Sequence, residues 1–298
     1  MTASRRFDEL KPVDGLTTAD WANDTSSHWS SSAAELEQQL EPVGDVLHDG
    51  AAVQPGERVL DVGCGRGSTT RRAAIACGPT GSATGIDVSA ELIQAARDAT
   101  PANLDIEWVV DDAQRHRFPE RVFDAVISRF GVMFFDDAVD ALAHLRRATA
   151  PGGRLCVVVW QRRERSEVMH LPLQIAQRAA NDRGTTLDIS PPDQGAFAWS
   201  DPSVVVPALE AAGWADVHYQ PHQVEMYLCG RGPVERIVKT TMSMGGVRRA
   251  LEGEPADVVD AVRERLVAEL GPRHDGTGVK LQGAIAVVTA RGWLEGAD

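Results

Sequence analysis

An apolar run that passes directly into three glycines constrains this chain more than any other feature. Val59–Gly67 reads Val-Leu-Asp-Val-Gly-Cys-Gly-Arg-Gly, and a helical pattern follows at Arg71–Ala76. The apolar run has the length and β-branched content of a buried parallel strand. Glycines let the backbone turn sharply and approach a ligand where a Cβ would collide. A strand, a glycine loop and a helix in this order predict a cofactor site at the carboxyl end of a parallel strand.

Short apolar runs of this kind recur along the chain and alternate with helical patterns. The predicted strands are Arg58–Val62, Thr84–Asp87, Ile106–Val110, Phe123–Ser128, Arg154–Trp160, Val217–Leu228 and Ala284–Ala290. The predicted helices are Arg71–Ala76, Ala90–Ala99, Ala138–Ala150, Pro172–Asn181, a helix capped by Asp201 and stopped by Gly213, Val234–Met244 and Pro255–Leu270. This alternation predicts the α/β class and a Rossmann-like, doubly wound sheet.

Two parts are predicted along the chain. Residues 1–53 form an N-terminal arm and helices, because a polar stretch is followed by apolar positions on one helical face, which Pro42 kinks or restarts. Residues 54–298 form the α/β domain. Helical cap insertions within this domain, at about 161–200 and 230–282, are expected to cover the sheet.

Composition excludes several classes of function. The chain has 298 residues and a formal net charge of −13, and this field repels phosphate backbones, so we expect no nucleic-acid partner. The four cysteines lie without a close pair, which indicates neither a disulfide framework nor a zinc site, and we expect no metal. No apolar run approaches the roughly 18 residues that span a bilayer, and the first residues do not have the pattern of a signal peptide. We therefore expect a cytoplasmic protein without membrane contact, and a homodimer is left open.

The spacing of the glycines and a neighbouring acid distinguish between cofactors. Ser68 stands where the dinucleotide fingerprint has its last glycine or alanine, so a nicotinamide cofactor fits poorly. Asp61 lies two residues before Gly63 and directs a carboxylate toward the same crevice. A carboxylate repels a pyrophosphate but attracts an ammonium group, which S-adenosylmethionine carries. The alternative is a strand-ending acid beside a plain turn.

Acids also close the next two predicted strands. Asp87 ends the second strand, and a βαβ unit brings it beside the glycine loop, where its carboxylate can accept both hydroxyls of a ribose. Asp112 follows the third strand, where an acid can accept the amino group of an adenine. Asp111 is adjacent, and one acid of this pair is expected to be only solvated.

Together these residues resemble the class I S-adenosylmethionine-dependent methyltransferases, in particular the bacterial small-molecule group similar to the ubiquinone and menaquinone biosynthesis methyltransferases. The resemblance is carried by Val59–Gly67, Gly85–Ser89, Asp111–Gln114, Phe123–Phe135 and Pro151–Trp160. It implies a seven-stranded sheet whose last strand is antiparallel, with the cofactor above the carboxyl ends of the first strands.

The resemblance also implies a role for each part of a cofactor site. The methionine end would be held by Asp61 and the loop residues Gly63, Cys64, Gly65 and Gly67, the ribose by Asp87, and the adenine by Val88, Asp112 and Ala113. Ser128 and Arg129 would pass beneath the methyl donor.

Large apolar side chains are expected to form the site of the methyl acceptor. Most of them lie at or after strand ends, at the edge where α/β enzymes bind ligands. The candidates are Trp29, Phe130, Met133, Phe134, Trp160 and Met169. His28 and His170 are of the residue type that acts as a general base near neutral pH, although either is equally compatible with a surface position. The arm that contains Trp29 resembles the segment that closes over the cofactor in related enzymes.

The expected function is transfer of a methyl group from S-adenosylmethionine to an O, N or C nucleophile of a small, largely apolar metabolite. The alternative is a regulatory module that binds the cofactor without turnover. An open acceptor pocket would favour the enzyme, and side chains that fill it would favour the module.

Overall fold

The computed structural model describes residues 33–190 and 195–292. Its centre is a seven-stranded sheet. The strands are β1 Arg58–Val62, β2 Ser82–Asp87, β3 Ile106–Val110, β4 Phe123–Arg129, β5 Thr149–Trp160, β6 Ala215–Tyr227 and β7 Lys280–Arg291. All seven predicted strands are therefore present, and β1 and β3 have the predicted bounds.

The order of the strands places their ends. Across the sheet they follow β3-β2-β1-β4-β5-β7-β6. The neighbours among β1–β5 pair in parallel, whereas β7 is antiparallel to both β5 and β6. The predicted α/β class and the antiparallel last strand are confirmed. Because β6 runs in the same direction as β5, the carboxyl ends of β1–β6 meet at one edge of the sheet.

The start of β5 differs from the prediction. The strand begins at Thr149, where it pairs with Phe123, and the pairing then shifts register before it resumes between Arg154 and Ala125. The segment Pro151-Gly152-Gly153 was expected to end a helix, but it lies inside this irregular part of β5. Gly152 has a φ of +75°, so the strand absorbs extra residues as a bulge does.

Nine helices accompany the sheet in the described residues. They are α1 Ala33–Ala51, α2 Ser68–Cys77, α3 Ala90–Asp98, α4 Ala138–Ala148, α5 Glu167–Asn181, α6 Pro202–Ala211, α7 Val234–Ser243, α8 Gly245–Ala250 and α9 Ala256–Leu270. Several begin with a side-chain cap: Ser89, Asp137 and Asp201 each accept a hydrogen bond from a backbone N–H of the first turn. None of these helices is long and apolar enough to cross a membrane.

Three helices contain an internal proline: Pro42 in α1, Pro172 in α5 and Pro207 in α6. α1 runs through Pro42 without a break, and its residues Val43 and Leu47 are fully buried where the helix packs on β4–β7. α5 begins at Glu167, earlier than the predicted Pro172, because the carbonyl of Ser166 accepts the first helical bonds. Proline is common at the first position of a helix, but Pro172 lies inside α5, after its first turn.

Four of the helices pack against one another, and one of them, α5, also packs on β7. α5 packs on α8 and α9, and α7 packs on α8 and α9. We call α5, α7, α8 and α9 the helical cap; they lie within residues 161–200 and 230–282. α6 is different, because it packs on β6 and α4 beside the sheet.

Candidate functional site

A cavity of about 370 Å³ lies at the carboxyl edge of the sheet. Its walls come from the glycine loop after β1, the residues that follow β2, β3, β4 and β5, the helix α1 and the helical cap. One continuous cavity therefore joins the ends of the first strands to the underside of the cap, and most of its lining is apolar.

The three loop glycines have different surroundings. Gly63, Gly65 and Gly67 all have positive φ angles, of +66°, +54° and +74°. A Cβ on Gly63 would lie 2.7 Å from the Cα of Gly131, and one on Gly67 would overlap the ring of Trp108. Nothing lies within 4 Å of the corresponding position on Gly65, which lines the cavity. Gly63 and Gly67 thus permit close packing against Gly131 and Trp108. Gly65 instead leaves space for a ligand. Gly67 does not line the cavity.

Asp87 is joined to the glycine loop. Its Oδ2 accepts a hydrogen bond of 2.8 Å from the backbone N–H of Gly65, and its Oδ1 accepts one of 2.9 Å from Ser89. The carboxylate lines the cavity. Burial raises its pKa, although the backbone hydrogen bonds act in the opposite direction. Each oxygen retains a lone pair for a further donor.

Asp61 has a different position from the one expected. The hydroxyls of Thr69 and Thr70 each donate a 2.6 Å hydrogen bond to its Oδ2, and Oδ1 is buried without a partner in the described residues. Burial raises the pKa of this carboxyl to about 6. Asp61 does not line the cavity, whereas Thr69 does. The expectation of direct contact with a ligand's ammonium group is therefore corrected: Asp61 holds the first turn of α2 from behind.

The pair after β3 lies at the cavity, with unequal exposure. The side chain of Asp111 is 51% exposed and that of Asp112 is 21% exposed. Asp111 accepts a hydrogen bond of 2.8 Å from His116, which lowers the pKa of this carboxyl. Asp112 accepts the backbone N–H of Gln114 at 2.9 Å. Val88 and Ala113 line the same part of the cavity.

Ser128 and Arg129 follow each other but act in different places. The hydroxyl of Ser128 donates to the carbonyl of Val62 at 2.7 Å and accepts the N–H of Gly131 at 3.1 Å. Ser128 is fully buried and does not line the cavity, which corrects the expectation that it passes beneath a ligand. It instead ties the loop after β4 to β1.

Arg129 lines the cavity and fastens α1 over it. Its guanidinium donates to Glu37 at 2.9 Å, to the carbonyl of Leu40 at 3.2 Å and to Ser68 at 3.0 Å. Only 9% of its side chain is exposed. Because these partners belong to α1 and to the start of α2, the guanidinium of Arg129 holds α1 in place beside the cavity.

Two aromatic rings form the middle of the cavity wall. Phe130 and Trp160 are stacked with their centroids 4.3 Å apart and their planes inclined by 7°. Phe130 has a φ of +67°, an unusual conformation for a residue with a large side chain. Met133, Phe134 and Met169 also line the cavity. The structure thus brings together all the candidate acceptor residues that it describes.

Histidine is absent from the cavity lining in the described part of the chain. Val168, Met169 and Pro172 of α5 face the cavity, but His170 does not, which corrects the expectation that it reaches an acceptor. Its Nδ1 is buried without a partner in residues 33–190 and 195–292, and burial together with Arg163 lowers its pKa. His28 and Trp29 lie outside the described residues.

Several cavity residues were not predicted. They are Leu36, Gln39 and Leu40 of α1, Leu173 of α5, and Leu228, Cys229, Thr241 and Val247 beside or within the cap. The helical pattern of α1 indicated a buried face, but it did not indicate what this face covers. Cys229-Gly230 could have indicated a cavity residue, because a glycine directly after a strand marks a turn at the carboxyl edge of the sheet, where ligands bind.

Part of this chain is similar in sequence to known proteins. Residues 59–153 match the family described as "Methyltransferase domain". This segment, which contains the glycine loop and Asp87, is therefore similar to a methyltransferase domain. The aklanonic acid methyltransferase of a Streptomyces species is 42% identical over 116 residues, which cover 38% of this chain and 53% of the relative. A ubiquinone/menaquinone biosynthesis C-methyltransferase of Burkholderia cenocepacia is 36% identical over 109 residues, covering 36% of this chain and 45% of that protein. The chain spans about half the length of the curated relatives it matches.

Solved structures share the fold of this chain. Phosphoethanolamine N-methyltransferase 2 of Haemonchus contortus, in complex with S-adenosyl-L-methionine, has a TM-score of 0.52 at 14% identity, covering 93% of this chain and 60% of that one. A Haloferax volcanii putative methyltransferase, solved with its Trm112 activator, has a TM-score of 0.52 at 18% identity. The match covers 93% of this chain and 97% of that one. Within the described residues, no group of three or more potential ligands is arranged to hold a metal ion.

Proposed function

We propose that this protein transfers a methyl group from S-adenosylmethionine to an O, N or C nucleophile of a small, largely apolar molecule. The observation that carries the proposal is the single cavity at the carboxyl edge of the sheet. One end has the glycine loop and the acids that suit a nucleoside. The other end has the apolar side chains that suit an acceptor.

The residues present fit the cofactor. The open space beside Gly65 admits a ligand against the backbone, and Asp87 retains acceptor capacity for ribose hydroxyls. Asp112, Val88 and Ala113 line the same cavity, which supports binding of the adenine beside them. The unpartnered, buried Oδ1 of Asp61 adds negative potential behind the loop, where a cationic group is favoured.

The chemistry then requires little from the protein beyond positioning. S-adenosylmethionine, when bound, supplies a methyl group that is already activated by its sulfonium. The residues of this chain hold donor and nucleophile close and in line, which is a proximity and orientation effect. The stacked Phe130 and Trp160 orient an apolar acceptor, and α1, fastened through Arg129, excludes water from one side.

The relatives support a small-molecule acceptor. One is named for aklanonic acid and the other for ubiquinone and menaquinone biosynthesis. The net charge of −13 also disfavours polyanionic acceptors. A cofactor-binding module without turnover would be expected to fill the acceptor end with side chains. The cavity instead continues past the strand ends to Met169, Pro172 and Leu173 of α5, which supports the enzyme.

Two measurements test the proposal in sequence. S-adenosylmethionine and S-adenosylhomocysteine should each raise the melting temperature, and NAD should not, because a ligand that binds the native state stabilises it. Mass spectrometry should then detect S-adenosylhomocysteine and a methylated product when the protein is incubated with hydroxylated polycyclic aromatic compounds. A melting temperature that responds to NAD alone would refute the cofactor assignment, and cofactor binding without turnover on any acceptor would favour the module.

A further inference from the structure

Gln39 carries a side-chain hydrogen-bond donor that makes no hydrogen bond to a described residue. It lies on α1, lines the cavity and is 7% exposed. Its Oε1 accepts a 2.6 Å hydrogen bond from the backbone N–H of Cys229. A backbone N–H can only donate, so this contact fixes which end of the amide is oxygen. The Nε2 group therefore points away from Cys229.

The loop that holds Gln39 is itself well fixed. Cys229 and Gly230 have φ angles of +51° and +78°, which turn the chain sharply after β6. Gln38 acts beside Gln39, because its Oε1 accepts the backbone N–H of Arg231 at 2.9 Å. Two consecutive amides of α1 thus bind one loop, but only Gln39 lines the cavity.

Two polar side chains of this region, Cys229 and Thr241, already have hydrogen-bond partners. Burial raises the pKa of the Cys229 thiol to about 11, so the thiol stays protonated. Its Sγ lies 3.4 Å from Oγ1 of Thr241, and the Thr241 hydroxyl donates to the carbonyl of Ile237 at 2.8 Å. Thr241 is thus the acceptor for the thiol proton. The Nε2 group of Gln39 makes no hydrogen bond to a described residue and is therefore a donor for a ligand at this end of the cavity.

The order of the strands separates Asp87 from the loop that Gln39 binds. Asp87 ends β2, which lies next to the outermost strand β3 on one side of the sheet. Cys229 follows β6, which is the outermost strand on the other side. The Phe130–Trp160 stack, at the ends of β4 and β5, lies between them. A molecule that contacts both the stack and Gln39 would therefore occupy the acceptor end.

We propose that the Nε2 group of Gln39 donates a hydrogen bond to an oxygen atom of the acceptor and so determines which acceptors are used. The substrate class is a largely apolar molecule with a carbonyl or hydroxyl oxygen on the side that faces α1. This inference rests on the proposed function, since it names the acceptor of the same site. A site that offers a fixed donor discriminates against an analogue without the matching oxygen.

The test compares two probes that differ only in one oxygen. 9-Fluorenone and fluorene are titrated into protein saturated with S-adenosylhomocysteine, and dissociation constants are measured from tryptophan fluorescence. The wild-type protein should bind fluorenone about five- to tenfold more tightly, which is the usual contribution of one hydrogen bond. In Gln39→Glu at pH 8.5 the carboxylate still accepts from Cys229 but donates nothing, so the preference should disappear or reverse.

Gln38→Glu is the matched control. It makes the same change on the neighbouring residue, which binds the same loop without lining the cavity, and it should keep the preference. Gln39→Met, which removes the donor without adding charge, should lose the preference if Gln39→Glu folds poorly.

Equal affinity of the wild type for both probes, or failure to bind either, would overturn the proposal. It would also be overturned if Gln39→Glu kept the preference or if Gln38→Glu lost it. Repeating the titration without S-adenosylhomocysteine separates this inference from the proposed function. A cofactor that does not bind would refute the methyltransferase activity, whereas the two probes would still report on Gln39.

Discussion

The backbone N–H of Gly65 donates a 2.8 Å hydrogen bond to Oδ2 of Asp87. This contact joins the loop after β1 to the end of β2. The glycine loop and Asp87, which the sequence analysis singled out separately, therefore form one structural unit. Asp87 has a second backbone partner in Ser89. A change at Asp87 should therefore act both on ligand contacts and on the shape of the loop.

Asp87→Ala should weaken S-adenosylmethionine binding by roughly 1.5–3 kcal/mol, because ribose hydroxyls would lose charge-assisted hydrogen bonds. The fold should persist. Calorimetric titration measures the loss, and Asp98→Ala is the matched control, since that acid is exposed and does not line the cavity. Unchanged affinity in a folded Asp87→Ala protein would remove Asp87 from the site.

Gly65→Val should abolish cofactor binding without unfolding the chain. The added methyl groups would enter open space where backbone and ligand meet. Gly152→Val is a suitable control, because Gly152 also has a positive φ and no atom within 4 Å of its Cβ position, but it lies in β5 away from the cavity. Both variants carry similar backbone strain, of about 1–2 kcal/mol. If Gly65→Val bound the cofactor as well as Gly152→Val, the loop would be only a turn.

The sheet was predictable because its signals are local. Apolar runs of strand length, closed by glycines or acids, fixed the existence of every strand, and their alternation with helices fixed the class. The start of β5 was missed because Pro151-Gly152-Gly153 has the local pattern of a helix stop. Whether such a segment ends one element or bulges within the next depends on pairing with Phe123, which is a tertiary contact.

The meeting of Asp87 with the glycine loop was also predictable from sequence, because the carboxyl ends of adjacent parallel strands lie at one edge of the sheet. The contacts of Asp61 were not accessible. Its expected contact with a ligand depended on which side of the loop the carboxylate faces, and Thr69 and Thr70 decide this. The contact of Gln39 with Cys229 joins positions 190 residues apart, so no local pattern could reveal it.

Asp61→Asn should change how stability depends on pH. Burial raises the pKa of Asp61 from its ordinary value of 3.8 to about 6. Between these values the folded protein holds a proton that the unfolded chain has released, so this group's contribution to the free energy of unfolding falls as the pH rises. The full cost, present above pH 6, is on the order of 3 kcal/mol. Asparagine can accept from both threonines without this cost.

Urea unfolding between pH 4 and 7.5 measures the effect. The variant and the wild type should have similar stabilities near pH 4, and the variant should become the more stable protein as the pH rises through 6. The difference between the two proteins is the relevant quantity, because His48, whose pKa is lowered to about 4, contributes an opposite slope to both. A difference that stays constant across this range would show that Asp61 is ionised throughout.

The last prediction concerns the role of a general base. The cavity has no histidine lining in the described residues, the Cys229 thiol is held protonated, and Glu37 is paired with Arg129. We therefore expect catalysis by positioning, with turnover in His170→Ala within a few-fold of the wild type. A base that did act from His28 would contribute at most about 10²- to 10⁴-fold.

Single-turnover rates with the identified acceptor test this account. His28→Ala, His170→Ala and deletion of residues 21–29 are compared at saturating cofactor, with cofactor affinity measured separately. The deletion should reduce the rate most, because the resemblance assigns this arm to closure over the cofactor, and an open site admits water. Complete loss of turnover in a folded histidine variant, beside a nearly active deletion, would show that a dedicated base drives the reaction. Positioning by Phe130, Trp160 and α1 would then be insufficient to explain the rate.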